Sequence, residues 1–186
     1  MRSRKELNII YAVVGLISFG IILTVLFFHF NQNKFNRYED PQKRFSILYP
    51  EDWSVQENSN PEVAVLFSSP KESEMDIFSD NVNIVVQDLR KNPVQIDEYT
   101  AIAINQMNVV FGEDVRVLVS EPARLSGRSG YNYEFVTNSI GGELRFKIVW
   151  TVVGLTAYQV TFSSQPANFD LYLGKINKMI KSFKIK

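Results

Sequence analysis

From Leu7 to Phe30 the chain runs for 24 residues, LNIIYAVVGLISFGIILTVLFFHF, without an Asp, Glu, Lys or Arg. As a helix this stretch is about 36 Å long at roughly 1.5 Å per residue, enough to cross a bilayer core of about 30 Å with some tilt. It predicts a single transmembrane helix and a chain held beside a membrane. A secretory signal peptide has a shorter apolar region and a small-x-small cleavage site. Here the run ends in Leu26-Phe-Phe-His-Phe30, with no such site and no Cys to lipidate. A buried core helix is seldom apolar all round over this length. Arg2, Arg4 and Lys5 precede the span against one acidic residue, Glu6. Flanking positive charge stays on the cytoplasmic side, so the tail 1–6 is expected inside and the rest outside. Lys34, Arg37, Lys43 and Arg44 on the far side oppose that orientation. Gly15 and Gly20 are spaced too widely for the G-x-x-x-G packing motif.

The 156 residues after the span are about one domain and enough to bury a core. Three of the 20 Lys/Arg and one of the 20 Asp/Glu fall before Asn31, leaving 17 basic and 19 acidic residues. A polyanion binder is clearly basic, so nucleic acid is not an expected partner. There is no Cys, and the only His, His29, lies at the membrane edge. That excludes disulfides, thiolate metal sites, and Ser-His-Asp or Cys-His catalysis in the domain.

Residues 31–44 are polar and charged and read as a juxtamembrane linker, with the domain expected over 45–186. Phe45–Tyr49 predicts a strand ended by Pro50, followed by a short strand over Ser54–Gln56, a turn over Asn58–Glu62 and a strand over Val63–Phe67. Ser68–Asp80 is polar and reads as a surface loop. Asn81–Arg90 predicts a central strand, with Val82, Ile84 and Val86 on one face and Val85 and Leu89 on the other. The period then changes. Ile96, Tyr99, Ile102, Ala103, Met107 and Val110 recur at helical spacing after Pro93 and before Gly112. Val115–Ser120 predicts a strand broken by Glu121-Pro122, and Leu125–Gly130 a turn. Tyr131–Thr137, Leu144–Val152 and Thr156–Phe162 predict antiparallel strands, the first two joined by a turn containing Gly141-Gly142. Asn168 is the expected N-cap of a closing helix. Its apolar face runs from Phe169 to Phe183, and Lys175, Lys178, Lys181 and Lys184 fall in its last turns. The fold class is therefore α+β: an antiparallel sheet flanked by two main helices, preceded by one transmembrane helix.

Phe45-Ser-Ile-Leu-Tyr-Pro-Glu-Asp-Trp53 resembles the opening "F-x-[IV]-x-[YF]-P-x-x-W" of the PsbP-like family. Asn81–Val86, Gly130-Tyr-Asn-Tyr-Glu134, the strand ending in Trp150, Ala157–Phe162 and Ser182-Phe183 are similar to its later blocks, in order. The resemblance implies an antiparallel sheet flanked by helices and a non-catalytic accessory character. The family's named member is an extrinsic photosystem II subunit that helps retain the ions of the water-oxidising centre. An expected membrane helix in place of a transit peptide or lipidated Cys, and a domain without His, are two departures from that member.

Few residues stand out as sites. Trp53, after the Pro50 break, reads as a recognition aromatic or, the favoured alternative, a core plug. Glu72, Glu74, Asp76 and Asp80 have the oxygen ligands of a hard cation but not the spacing of an EF-hand, and read as a solvated acidic loop. Asp97-Glu98 suits a helix first turn, and Glu113-Asp114 a solvated surface. Ser126–Gly130 lacks the Lys-Ser/Thr ending of a phosphate-binding loop and reads as a plain turn. Arg145 and Lys147 share a strand face with Glu143, as a docking patch or as ordinary alternating charge facing solvent. The closing helix's lysines, Lys178 and Lys181 among them, could meet anionic headgroups. The sequence thus predicts no catalytic residue, cofactor or metal site. It predicts an accessory domain, anchored through Leu7–Phe30, that docks on or helps assemble a membrane-associated complex, with Trp53, Arg145, Lys147, Lys178 and Lys181 as the candidate surface. A ligand-sensing or solute-binding ectodomain, with an apolar pocket, is the alternative. A carboxylate-based hydrolase ranks last, because its acidic residues fall mostly in turns.

Overall fold

Alternation of apolar and polar residues builds ten strands, and two stretches of helical period build two helices, in a computed structural model that describes residues 34–60, 63–71, 78–139 and 141–186. The expected membrane span Leu7–Phe30, the tail 1–6 and the start of the linker lie outside the described residues. Among those described, no helix is long and apolar enough to cross a membrane.

The strands are β1 (Phe35–Glu39), β2 (Phe45–Pro50), β3 (Ser54–Asn60), β4 (Val63–Ser68), β5 (Asn81–Asp88), β6 (Arg116–Leu125), β7 (Arg128–Ser139), β8 (Gly142–Val153), β9 (Thr156–Ser164) and β10 (Lys184–Ile185). The helices are α1 (Ile96–Phe111) and α2 (Pro166–Ser182). Seven strands form one sheet in the order β3-β4-β5-β9-β8-β7-β6, and β1-β2-β10 form a small second sheet. Every pairing in the large sheet is antiparallel. Helix α1 packs on one face through Tyr99 and Ala103, against Tyr133, Phe135, Ile148 and Trp150. Helix α2 covers the other face, where Phe169 meets Phe162 at 4.9 Å. The small sheet closes the same side: Phe45 stacks on Phe183 at 5.2 Å, and Tyr38 meets Phe67 at 5.6 Å.

Several boundaries differ from expectation for identifiable reasons. The linker expected over 31–44 contains β1, whose polar composition hides one inward aromatic, Tyr38. Asp40 follows it, buried, and accepts three hydrogen bonds from Arg44: from the backbone N–H at 3.0 Å, Nε at 2.8 Å and Nη2 at 2.7 Å. Burial works to raise the Asp40 carboxyl, but the bonds and charge of Arg44 outweigh it and hold the group below the usual carboxylate range. Strand β6 continues through Pro122, the expected break, because it is an edge strand and needs no outward N–H there. The glycine turn is shorter than expected. Only Ser126 and Gly127 form it, both at positive φ (53° and 74°), so Arg128–Gly130 belong to β7. Gly130 is required for a different reason: a Cβ there would lie 2.2 Å from the Trp150 carbonyl oxygen. Helix α2 starts at Pro166, which suits the first helical position, so Asn168 lies inside the helix rather than at its N-cap. Lys184 is not helical. It pairs with Ser46 in the small sheet.

Candidate functional site

The two faces of the seven-stranded sheet hold different chemistry. On the α2 side, β7 and β8 place Glu134 opposite Lys147 and Val136 opposite Arg145. The Glu134 carboxylate accepts from Lys147 Nζ and, at 3.2 Å, from Arg145 Nη2. Arg145 also lies 3.8 Å from the centre of the Phe169 ring and donates to Asp170 at 3.3 Å. With side-chain exposures of 22% for Arg145, 13% for Lys147 and 7% for Glu134, this face does not offer the solvent-facing docking patch expected of Arg145 and Lys147. Helix α2 covers it, and Glu134, unremarked in the sequence, is the counter-charge that permits the burial. Its one local signal is a carboxylate set in the apolar alternation of Tyr131, Tyr133 and Phe135.

Trp53 is the core plug favoured from the sequence, not a recognition aromatic on the surface. It is 4% exposed and meets Tyr172 of α2 edge-on at 5.7 Å, as a plug. Lys178 and Lys181 are exposed on α2. Lys175 lies 3.7 Å from Asp52. Of the acidic loop, Glu72, Glu74 and Asp76 lie outside the described residues. Asp80 is buried rather than solvated, with the Asn168 amide 3.5 Å from its carboxylate. Among the described residues no group of three or more His, Cys, Asp or Glu side chains is placed to hold a metal ion. Asp97 and Glu98 occupy the first turn of α1.

On the α1 side the sheet is only partly covered. A cleft of about 630 Å³ opens between α1 and strands β5, β9, β8 and β7. Its helix wall is Tyr99, Ala103, Met107, Val110 and Phe111. Its floor is Phe135, Phe146 and Ile148, with Phe111 5.4 Å and 5.5 Å from the two phenyl rings. The far side is mixed: Val85 sits among Asn83, Gln87, Gln159 and Thr161. Tyr99 Oη donates to Gln87 Oε1 at 3.0 Å, and Gln159 Nε2 donates to Thr161 Oγ1 at 3.0 Å. Burial pushes the Tyr99 phenol up. The lining holds one carboxylate, Asp88, whose two oxygens accept from Arg90. Paired carboxylates across a cleft, which glycoside hydrolysis requires, are not what this lining offers. The face of β5 expected to carry Val85 and Leu89 lies toward α1 and is half polar. The signal for it was the alternation Asn83-Val85-Gln87, but it becomes a site only when β9 is placed alongside. Val110, expected to pack inward, is 72% exposed at the cleft.

Comparison with known proteins gives this architecture a family. No curated protein matches the chain by sequence. Among solved structures, the cyanobacterial PsbP (CyanoP) of Synechocystis sp. PCC 6803 superposes with a TM-score of 0.61 at 15% identity, covering 82% of this chain and 92% of its own. LpqN of Mycobacterium tuberculosis, involved in cell envelope biogenesis, gives 0.61 at 10% identity, covering 82% and 91%. The Ran-binding protein Mog1p of Saccharomyces cerevisiae gives 0.55 at 6% identity, covering 82% and 95%. At these identities the structures share a fold. The family model named PsbP matches residues 33–185, which takes in β1 and runs to the last strand. On that match, the chain belongs to the PsbP family.

Proposed function

We propose that this chain is a single-pass membrane protein whose PsbP domain is a non-catalytic accessory module on the extracytoplasmic side. It docks on, and helps assemble, a membrane-associated protein complex. Leu7–Phe30 is the anchor and residues 1–6 the cytoplasmic tail. Tethering raises the local concentration of a weak docking surface near its partner without adding contacts. The observation that carries the non-catalytic reading is the state of two of the three buried carboxylates among the described residues, Asp80 beside Asn168 being the third. Asp40 is held by Arg44, and Glu134 by Arg145 and Lys147, so these groups hold the fold together rather than facing a substrate. PsbP relatives are in general non-enzymatic accessory proteins, which agrees with it. With Trp53, Arg145 and Lys147 inside, the docking surface is the outer side of α2, with Lys178, Lys181 and the 73% exposed Leu171.

The test is crosslinking and affinity capture of the full chain from membranes, beside a chain carrying Lys178→Glu and Lys181→Glu. The expected result is one membrane complex in fixed stoichiometry, lost or reduced with the charge-reversed variant. A chain that leaves the membrane on alkaline washing overturns the anchor. A purified chain that turns over a substrate overturns the accessory role.

A further inference from the structure

The docking reading leaves the cleft beside α1 without a role. We propose that this cleft binds a neutral amphiphile: an apolar chain carrying an uncharged, hydrogen-bonding head group, of the monoacylglycerol class. The cleft's volume, about 630 Å³, lies within the range of small-molecule sites. Val85, Met107, Phe111, Phe146 and Ile148 supply a surface that removes an aliphatic chain from water. Apart from Asp88, the polar groups of the same lining are amides and hydroxyls, on Asn83, Gln87, Tyr99, Gln106, Gln159 and Thr161. These donate and accept hydrogen bonds without carrying charge.

The charge pattern selects the head group. No Lys or Arg lines the cleft, and Asp88 is engaged by Arg90 through Nε and Nη2. A fatty-acid carboxylate entering here loses water without meeting a cation. An alkylammonium meets only a carboxylate that already has one. Burying either charge costs more than burying a neutral head that the amides can satisfy. Val110, exposed and lining the cleft, continues the apolar surface outward. This inference is independent of the docking surface on α2, which lies across the sheet.

Photocrosslinking tests it with the full chain in lipid nanodiscs. Three diazirine probes of equal chain length are used: a monoacylglycerol, the matching fatty acid and the matching alkyltrimethylammonium. The monoacylglycerol is expected to label peptides containing Met107, Val110 and Phe146, and excess unlabelled monoacylglycerol is expected to suppress that labelling. The two charged probes are expected to label those peptides at least about tenfold less. Val110→Lys is expected to lower labelling by the neutral probe several-fold and raise labelling by the fatty acid. Met107→Trp, which fills the cleft, is expected to lower both, and Glu121→Lys, exposed on the edge strand β6 and outside the cleft lining, to change neither. A melting measurement on each variant confirms that it is folded. Equal labelling by all three probes, labelling that excess ligand does not suppress, label confined to other parts of the chain, or indifference to both cleft substitutions overturns the proposal. None of these outcomes depends on whether a protein complex is captured.

Discussion

The sheet's two faces are made by the same strands and are finished differently. On the α2 face, Phe162, Phe169, Ile176 and Met179 are sealed from solvent, and a carboxylate with two cations is packed in beneath the helix. On the α1 face, Tyr99 and Ala103 are buried, but the helix stands over a cleft, and Ile102, Val109 and Val110 are exposed. The contrast separates two uses of charge. Where the face is closed, charges are neutralised inside and serve the fold. Where it is open, the lining is nearly free of charge and remains available to a ligand. A protein interior is close-packed, so an incompletely filled face with apolar walls marks where this domain has kept room for something else.

Substitutions break or sharpen that contrast, the largest effect first. Glu134→Ala leaves Arg145 and Lys147 beneath α2 without their shared carboxylate. It is expected to cost about 4 kcal/mol in urea unfolding, as for other broken buried pairs. Replacing all three groups by Leu or Met is expected to recover most of that loss. Next, Ile176→Ala on the closed face is expected to cost about 3 kcal/mol. Met107→Ala at the open cleft is expected to cost about 1 kcal/mol, because its site is already partly empty. Equal costs would mean that both faces are sealed in solution.

The small sheet that completes the closed face gives a pH signature. The folded Asp40 carboxyl titrates below its unfolded value. Its stabilising contribution is therefore complete above about pH 4 and is lost as the pH falls through the folded value. Asp40→Asn is expected to lower the melting temperature at neutral pH and to flatten its fall in acid. A variant that melts in acid as steeply as the parent would remove Asp40 from that account. The smallest effect belongs to the open rim. Val109→Ser and Val110→Ser are expected to change stability by less than about 0.5 kcal/mol, and a larger loss would mean that this surface is covered.

Much of this architecture was legible in the amino-acid order. Leu144, Phe146, Ile148, Trp150 and Val152 alternate as β8 does, and the apolar face from Phe169 to Met179 is the buried face of α2. Gly112, at φ 69°, ends α1 where the sequence places a stop. The errors fall where an element's neighbour decides its character. Pro122 is tolerated because β6 is an edge. Tyr38 makes a strand of an apparent linker because Phe45 and Phe67 receive it. Arg145 and Lys147 look solvent-facing until α2 and Glu134 are placed beside them. The cleft was the least legible feature, since Asn83 and Gln87 sit on β5 while Gln159 and Thr161 sit on the distant β9, each looking like ordinary strand polarity.

The amino-acid order was enough to locate both helices and, apart from β1 and β10, the strands of the domain to within a few residues, together with most of the apolar faces and the family pattern. Those properties depend on spacing along the chain, which local physics reads directly. It took the three-dimensional arrangement to show that β5 pairs with β9 and that one charged face is buried while one apolar face stays open. Those outcomes depend on contacts between residues far apart in the chain, and no local periodicity carries that information.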